Sequence, residues 1–232
     1  MRAIDDRRCG RLFQPKAEVQ ARPLSENSLE KRPIGLYHEG MDKSQLTREA
    51  LLDTALREAS LIGIARLTLA PVAAAAGRSK GGLLRHFPSK ESLQIAVLER
   101  AFMQYQQYVV EPALKAPSGL PRLRLILQHW MSWTERAGLQ GACPILSAHQ
   151  EFDDQDGEVR EHLRSAWAHW CEYLTRQADK ARAAGQLPQG LAPDELVMLM
   201  TGLVSAEQQE RRLLGRAGSS TKALRIFDYL TR

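Results

Sequence analysis

The residues best placed to do chemistry in this chain are cations. Arg66, Arg78, Lys80, Arg85 and Lys90 fall between Ala59 and Lys90, with His86 beside them, and that window holds no Asp or Glu. Such a one-signed segment can anchor on a phosphate backbone, because each neutralised phosphate releases condensed counterions. The bland alternative is a solvated basic face. Phosphate is favoured by where the cations sit: on a segment whose local signals write a helix, a break and a second helix.

Those signals run from Thr68 to Lys90. Thr68 is placed to cap the first helix by accepting from backbone N–H groups two or three residues on. Pro71 falls in the first turn, where its missing N–H costs little. Val72, Ala73 and Ala76 give a small apolar face that lets two helices approach. Gly77 stands where a helix end wants a left-handed residue. Ser79 is placed to cap or begin the second helix, which stops at the Phe87-Pro88 step. Gly81 and Gly82 cost that helix about 1 kcal/mol each against Ala. Close approach to another surface would offset the cost, and that surface is either DNA or the preceding helix. A helix-turn-helix has one dominant use, to set its second helix in the DNA major groove.

Other chemistries find less support. There is no Gly-x-Ser-x-Gly elbow, phosphate loop, dinucleotide fingerprint or His-Glu-x-x-His. The acidic run Asp153 to Asp156 reads as a turn rather than an acid/base pair. His162 and His169 lie two helical turns apart with Cys171 nearby, but structural zinc wants four closely spaced ligands. No metal and no cofactor are expected. Cys9, Cys143 and Cys171 are odd in number and widely spaced, which argues against a disulfide framework and for a reducing cytoplasm. No apolar run reaches the ~18 residues a membrane span needs, so none is expected.

The elements that must position the cations are all helical. Residues 1–41 mix Arg, Pro, Gly and acids without an apolar period and read as a flexible arm, with Met41 fitting a native start. Thr47 to Ile62 repeats Leu52, Leu56, Ala59 and Ile62 at helical spacing and can cover the back of the helix-turn-helix. Leu67, Leu69, Val72, Leu83, Leu84 and Phe87 are the expected core of this head, residues 42–90. Further helices are expected from Ser89 toward Pro112, Arg122 to Arg136, up to Phe152, Glu158 to Ala184, Pro193 to Leu214 and Ser220 to Leu230. No segment alternates as a strand does, so the chain is expected to be all-α.

Charge divides the chain likewise. Of 232 residues, 44% are hydrophobic, enough for a sizeable core, and the net charge is +5. Residues 41–100 carry nine Lys and Arg against six Asp and Glu, whereas residues 101–232 carry fifteen of each. A basic nucleic-acid module joined to a neutral domain fits that split. In residues 91–232, Phe102, Tyr105, Trp130, Trp133, Phe152, Trp167 and Trp170 could as a group line an apolar pocket, with His129, Cys143, His149 or His169 as polar anchors; taken singly, each reads better as plain core. Leu196, Leu199, Met200, Leu203 and Val204 form an apolar stripe expected to be the face of a two-fold dimer.

The ordered set Thr47-Arg48-Glu49, Gly63, Thr68, Val72-Ala73, Ala76-Gly77, Ser79-Lys80-Gly81, His86-Phe87, Ser89-Lys90-Glu91 and Leu93 resembles the tetracycline-repressor (TetR/AcrR) family of bacterial transcription regulators. Gly141-Ala142-Cys143-Pro144 and Glu151-Phe152-Asp153-Asp154 look like segments of one subgroup. The resemblance implies a homodimer of subunits with a three-helix DNA head, a connecting fourth helix and a helical domain for effector and partner. It implies a cytoplasmic repressor that leaves a pseudo-palindromic double-stranded operator when a small apolar or aromatic molecule binds. By analogy Arg78, Ser79, Lys80, Gly81, Gly82 and Arg85, with His86, meet the groove, and Thr68 and Lys90 hold phosphates. Two positions depart from the family pattern: Leu84 stands where an aromatic is usual, and Arg78 where a small aliphatic is common. A helical protein-interaction module with a degenerate head, or a helical enzyme, are the rival classes; salt-dependent DNA binding separates them from a regulator.

Overall fold

The computed structural model describes residues 43–232, and the arm expected over residues 1–41 lies outside them. Every regular element among the described residues is a helix. Helix α1 is Lys43–Ile62, α2 Leu69–Ala75, α3 Lys80–Leu84 and α4 Lys90–Tyr105. After a π-helical turn, Gln106–Val110, come the short α5, Glu111–Ala113, then α6 Leu120–Arg136 and α7 Pro144–Phe152. Helices α8 Glu158–Ala183 and α9 Pro193–Gln208, a second π turn Gln209–Leu213, and α10 Ser219–Leu230 complete the chain.

Local chemistry explains the head. Gly77 takes φ +63°. Its N–H donates to Ala74 O and the Arg78 N–H to Ala73 O, a Schellman close to α2 that a side chain at 77 would strain. Ser79 caps α3 by accepting from Gly82 N at 3.1 Å. Ser89 and Ser92 form a reciprocal capping box at the start of α4, with both bonds 3.0 Å. Thr68 occupies the N-cap position of α2 with extended backbone, but its side chain makes no capping bond, contrary to expectation. Leu51, Leu52, Ala55, Leu56 and Ala59 of α1 close over Leu67, Val72, Leu83 and Phe87. Leu69 is partly buried there, while Leu84 is 40% exposed and leaves the expected core. Neighbouring helical positions point about 100° apart, so burial of Leu83 sends Leu84 outward.

Helix α4 is the frame that carries the head. Its Arg100 donates to Asp53 Oδ1 and Glu49 Oε2 of α1, each at 2.8 Å. Its far side packs on α7 and α8. Some helix limits differ from expectation. Helix α6 starts at Leu120 rather than Arg122, because Pro121 fits the first turn instead of the preceding loop. The α-helical geometry of α4 and α9 ends early, at their π turns.

The apolar stripe of α9 turns inward. Leu196, Leu203, Met200 and Val204 are buried, Leu199 is half-buried, and the helix packs on α8. Residues enclosed by their own chain cannot form a face for a partner, so Leu196, Met200, Leu203 and Val204 are corrected from dimer stripe to core, and Leu199 alone of the five keeps exposed surface. Large apolar groups are instead exposed elsewhere on the last two helices, chiefly Met198 at 77% and Tyr229 at 74%.

Candidate nucleic-acid interface and effector core

The head leaves its cations open to solvent. Thr68, Arg78, Ser79, Lys80, Gly81, Arg85 and Lys90 are exposed, and Gly82 and His86 half-buried. The Ser79 cap fixes the first turn of α3, so Lys80 and Gly81 open the helix outward just after Arg78. A Cβ on Gly81 would meet nothing within 4 Å, and one on Gly82 only the Ser79 hydroxyl at 3.4 Å. The preceding helix therefore does not require glycine at 81.

The aromatic residues of the regulatory half converge on Tyr105. Its ring lies edge-on to Trp130 at 5.6 Å, Trp133 at 5.8 Å and Trp170 at 5.2 Å. Trp130 reaches Trp167 at 6.0 Å, and Trp167 meets the His149 imidazole at 4.2 Å. The cluster thus joins α4, α6, α7 and α8 and contains all four tryptophans of the chain. Buried Cys143 lies against it, close to Trp133 and Tyr105. Phe102 and Phe152 make no ring contact with the cluster. Phe152 instead lines a cavity of about 130 Å³ at the junction with the head, beside Ala65, Lys90 and Gln94. Tyr173, stacked on Trp170 at 5.5 Å, belongs to the cluster although the sequence reading passed over it. Its place three residues after Trp170 on the same helical stripe was the available signal.

Burial sets the protonation of this core. It holds the Tyr105 phenol well above its usual value and raises the Cys143 thiol, so both stay neutral. It pushes His149 down to about 4. On unfolding the imidazole returns to its ordinary value near 6.5, so the unfolded chain takes up a proton that the folded one refuses. The contribution is complete above about pH 6.5 and is lost as pH falls toward about 4. Urea midpoints measured across that window should fall with acidity, and His149→Gln should fall less steeply. Equal slopes for the two proteins would show that His149 is not the titrating group.

The two halves are joined through polar contacts at one end of α1. Ala142 N–H donates to Ser60 O at 2.9 Å, and Gly141 N–H to Ser60 Oγ at 3.2 Å. Ala65 N–H donates to Glu151 Oε2 at 2.8 Å. The buried Gln94 side chain donates to Ile64 O at 2.8 Å. Helix α7 therefore touches the head through Glu151 and the aromatic core through His149, two residues away. Residues 141–144 and 151–154 stand out as motifs in the sequence, but their docking on the head is visible only in three dimensions.

A basic helix-turn-helix on a rigid fourth helix, backed by a helical domain with an aromatic core, defines a DNA-binding regulator rather than an enzyme. Known proteins agree. Residues 51–97 match the bacterial regulatory proteins of the tetR family, and residues 119–227 the tetracyclin repressor-like C-terminal domain. The HTH-type transcriptional regulator TtgR of Pseudomonas putida is 28% identical over 166 residues, covering 70% of this chain and 79% of that protein. A TetR transcriptional regulator from Chloroflexus aurantiacus J-10-FL superimposes with TM-score 0.73 at 27% identity, covering 83% of this chain and 98% of that one. AibR, in complex with isovaleryl coenzyme A and operator DNA, shares the fold with TM-score 0.66 at 20% identity, covering 80% and 98%. The chain belongs to the tetR family of bacterial transcriptional regulators. Members are typically ligand-responsive repressors that bind DNA through a helix-turn-helix and act as dimers.

Proposed function

We propose that this protein is a cytoplasmic homodimeric repressor, released from a pseudo-palindromic operator when a small apolar or aromatic molecule enters the aromatic core. The observation that carries the reading is α7, which holds the head through Glu151 and meets the aromatic core through His149. A molecule that parts the His149–Trp167 pair must shift α7, because packed interiors have no slack to absorb it. Arg78, Ser79, Lys80, Gly81, Gly82 and Arg85 enter the major groove with His86 at their edge, and Thr68 and Lys90 grip phosphates. Exposed Leu84 presents an apolar contact there, suited to a thymine methyl group.

The test is binding of the purified protein to its own upstream DNA, against scrambled DNA, over a salt series. Preferential binding as a dimer, weakening as salt rises, is the expected result. Equal binding to both sequences at every salt would remove the regulator reading for that site and leave the interaction module.

The dimer face is proposed at the exposed apolar residues of α9 and α10. Met198→Glu combined with Tyr229→Glu should yield monomers in sedimentation velocity and weaken operator binding, since one head then meets one half-site. A dimer of unchanged mass would move the interface elsewhere.

Stability and DNA reading should part company at Gly81. Gly81→Ala should raise stability by about 1 kcal/mol, because Ala is the better helix former and the added methyl meets open space. The same change should weaken operator binding if α3 lies close to DNA. Urea unfolding and DNA titration of one variant check both halves.

A further inference from the structure

We propose that the effector is an uncharged planar aromatic molecule bearing hydrogen-bond acceptors, with the ring carbonyl and ether oxygens of a coumarin as the pattern, held by donors from Trp130, Trp170 and Tyr105. This rests on the effector reading above and specifies its chemistry.

Several polar atoms in the aromatic core have no partner. Trp130 Nε1, Trp170 Nε1, the Tyr105 hydroxyl and His149 Nε2 are all buried without a hydrogen bond. Three of their parent side chains are more than nine-tenths buried: Tyr105, Trp130 and Trp170. Trp133 Nε1 is likewise buried without a hydrogen bond, beside the Cys143 thiol, a weak acceptor. Buried donors are nearly always satisfied in folded proteins, so a concentration of orphans around one group of rings needs an explanation. All three side chains belong to the rings that meet edge-to-face at Tyr105.

The type of orphan names the ligand. An indole N–H can only donate, so the ligand must accept. A purely apolar molecule would leave these donors as they are, and a cation would bring no acceptor to them. An anion would also find acceptable donors, but burying a charge needs a counter-charge. The groups acting electrostatically on Tyr105 are Cys143, Cys171 and Tyr173, none of them cationic. The two arginine–aromatic stacks among the described residues lie away from the core, at Phe87 and Tyr108. What fits is a neutral ring system that offers its flat face to the indoles and its oxygens to their N–H groups.

The rings are already in mutual contact, so entry must separate them. The accessible edge is Trp167, half-buried and in contact with His149. Opening there displaces α7 and loads the Glu151–Ala65 bond, which couples the core to the head.

Isothermal titration of the full-length protein with four probes of similar size tests the assignment: coumarin, naphthalene, 2-naphthoate and N-methylquinolinium. Coumarin should bind at least tenfold more tightly than each of the others. Trp130→Phe with Trp170→Phe should erase most of that margin while naphthalene binding stays within about threefold. Should the double variant fail to fold, Tyr105→Phe gives the same comparison at the central donor. Naphthalene binding as tightly as coumarin, preference for either charged probe, or no coumarin binding would each overturn the proposal. Operator binding is followed in the same samples without probe. Its loss would strike the regulator reading alone, and its retention with no coumarin binding would strike the ligand class alone.

Discussion

Gly141→Ala should destabilise the protein by about 3 kcal/mol and uncouple the head from the regulatory domain. A Cβ at this position would overlap the carbonyl carbon and oxygen of Ser60 and come within 2.7 Å of Leu61 N. These are backbone atoms at the end of α1, so no side chain can swing aside. Relief requires the 141–144 segment to lift off, breaking the bonds from Gly141 N–H and Ala142 N–H to Ser60. Separation would also expose Ser60 Oγ and Gly141 N–H, which are now paired with each other. Urea unfolding followed by tryptophan emission reports the regulatory half, because all four tryptophans lie there. Helical circular dichroism reports both halves. Wild-type transitions should coincide, and those of the variant should separate as the joint loosens. An unchanged midpoint would mean that the two halves do not rely on this contact.

Arg78→Ala with Lys80→Ala should weaken operator binding by on the order of 100-fold or more while leaving stability within about 0.5 kcal/mol. Both side chains are exposed, and the ion pairs of the head form elsewhere, around Arg48 and Arg100, so the folded subunit forfeits little with them. In the proposed dimer each substitution would act on DNA affinity twice, once in each head. For every phosphate no longer neutralised, the slope of log affinity against log salt should fall by about 0.9. The single variants then divide the labour. A residue that grips phosphate weakens binding to operator and scrambled DNA alike and flattens the salt dependence when it is removed. A residue that reads a guanine edge takes the preference for operator with it, as bidentate contacts are worth about 1–3 kcal/mol of discrimination. Arg78 is the more informative of the two, because a cation there departs from the pattern of the family. Wild-type affinity in the double variant would remove α3 from the interface.

The head was readable because its instructions are local. Gly77, Ser79, Ser89 and the Phe87-Pro88 step each act within about one helical turn, and each sits at a break between helices. Even there one local expectation failed: Thr68 holds the N-cap position without its side chain accepting a bond. The candidate effector residues were legible by type, since four tryptophans on helical stripes must pack somewhere. Their grouping was not. Tyr105, Trp130, Trp133 and Trp170 meet at one point, whereas Phe152, equally aromatic and buried, lies at the junction with the head.

What the amino-acid sequence determined by itself, then, was the all-helical make-up of the described residues, a basic helix-turn-helix and its family. Helical period, capping residues and the sign of charge all act over a few residues and need no knowledge of the fold. Tertiary structure alone decided which way the stripes face. Leu196, Met200 and Val204 have the pattern of an interface but turn into their own subunit, because α8 is there to cover them. It also decided that Gly141 locks onto the end of α1 and Glu151 onto the loop just after it, some eighty residues earlier in the chain. An amphipathic pattern specifies that a face must be buried; only the arrangement of distant helices determines what buries it.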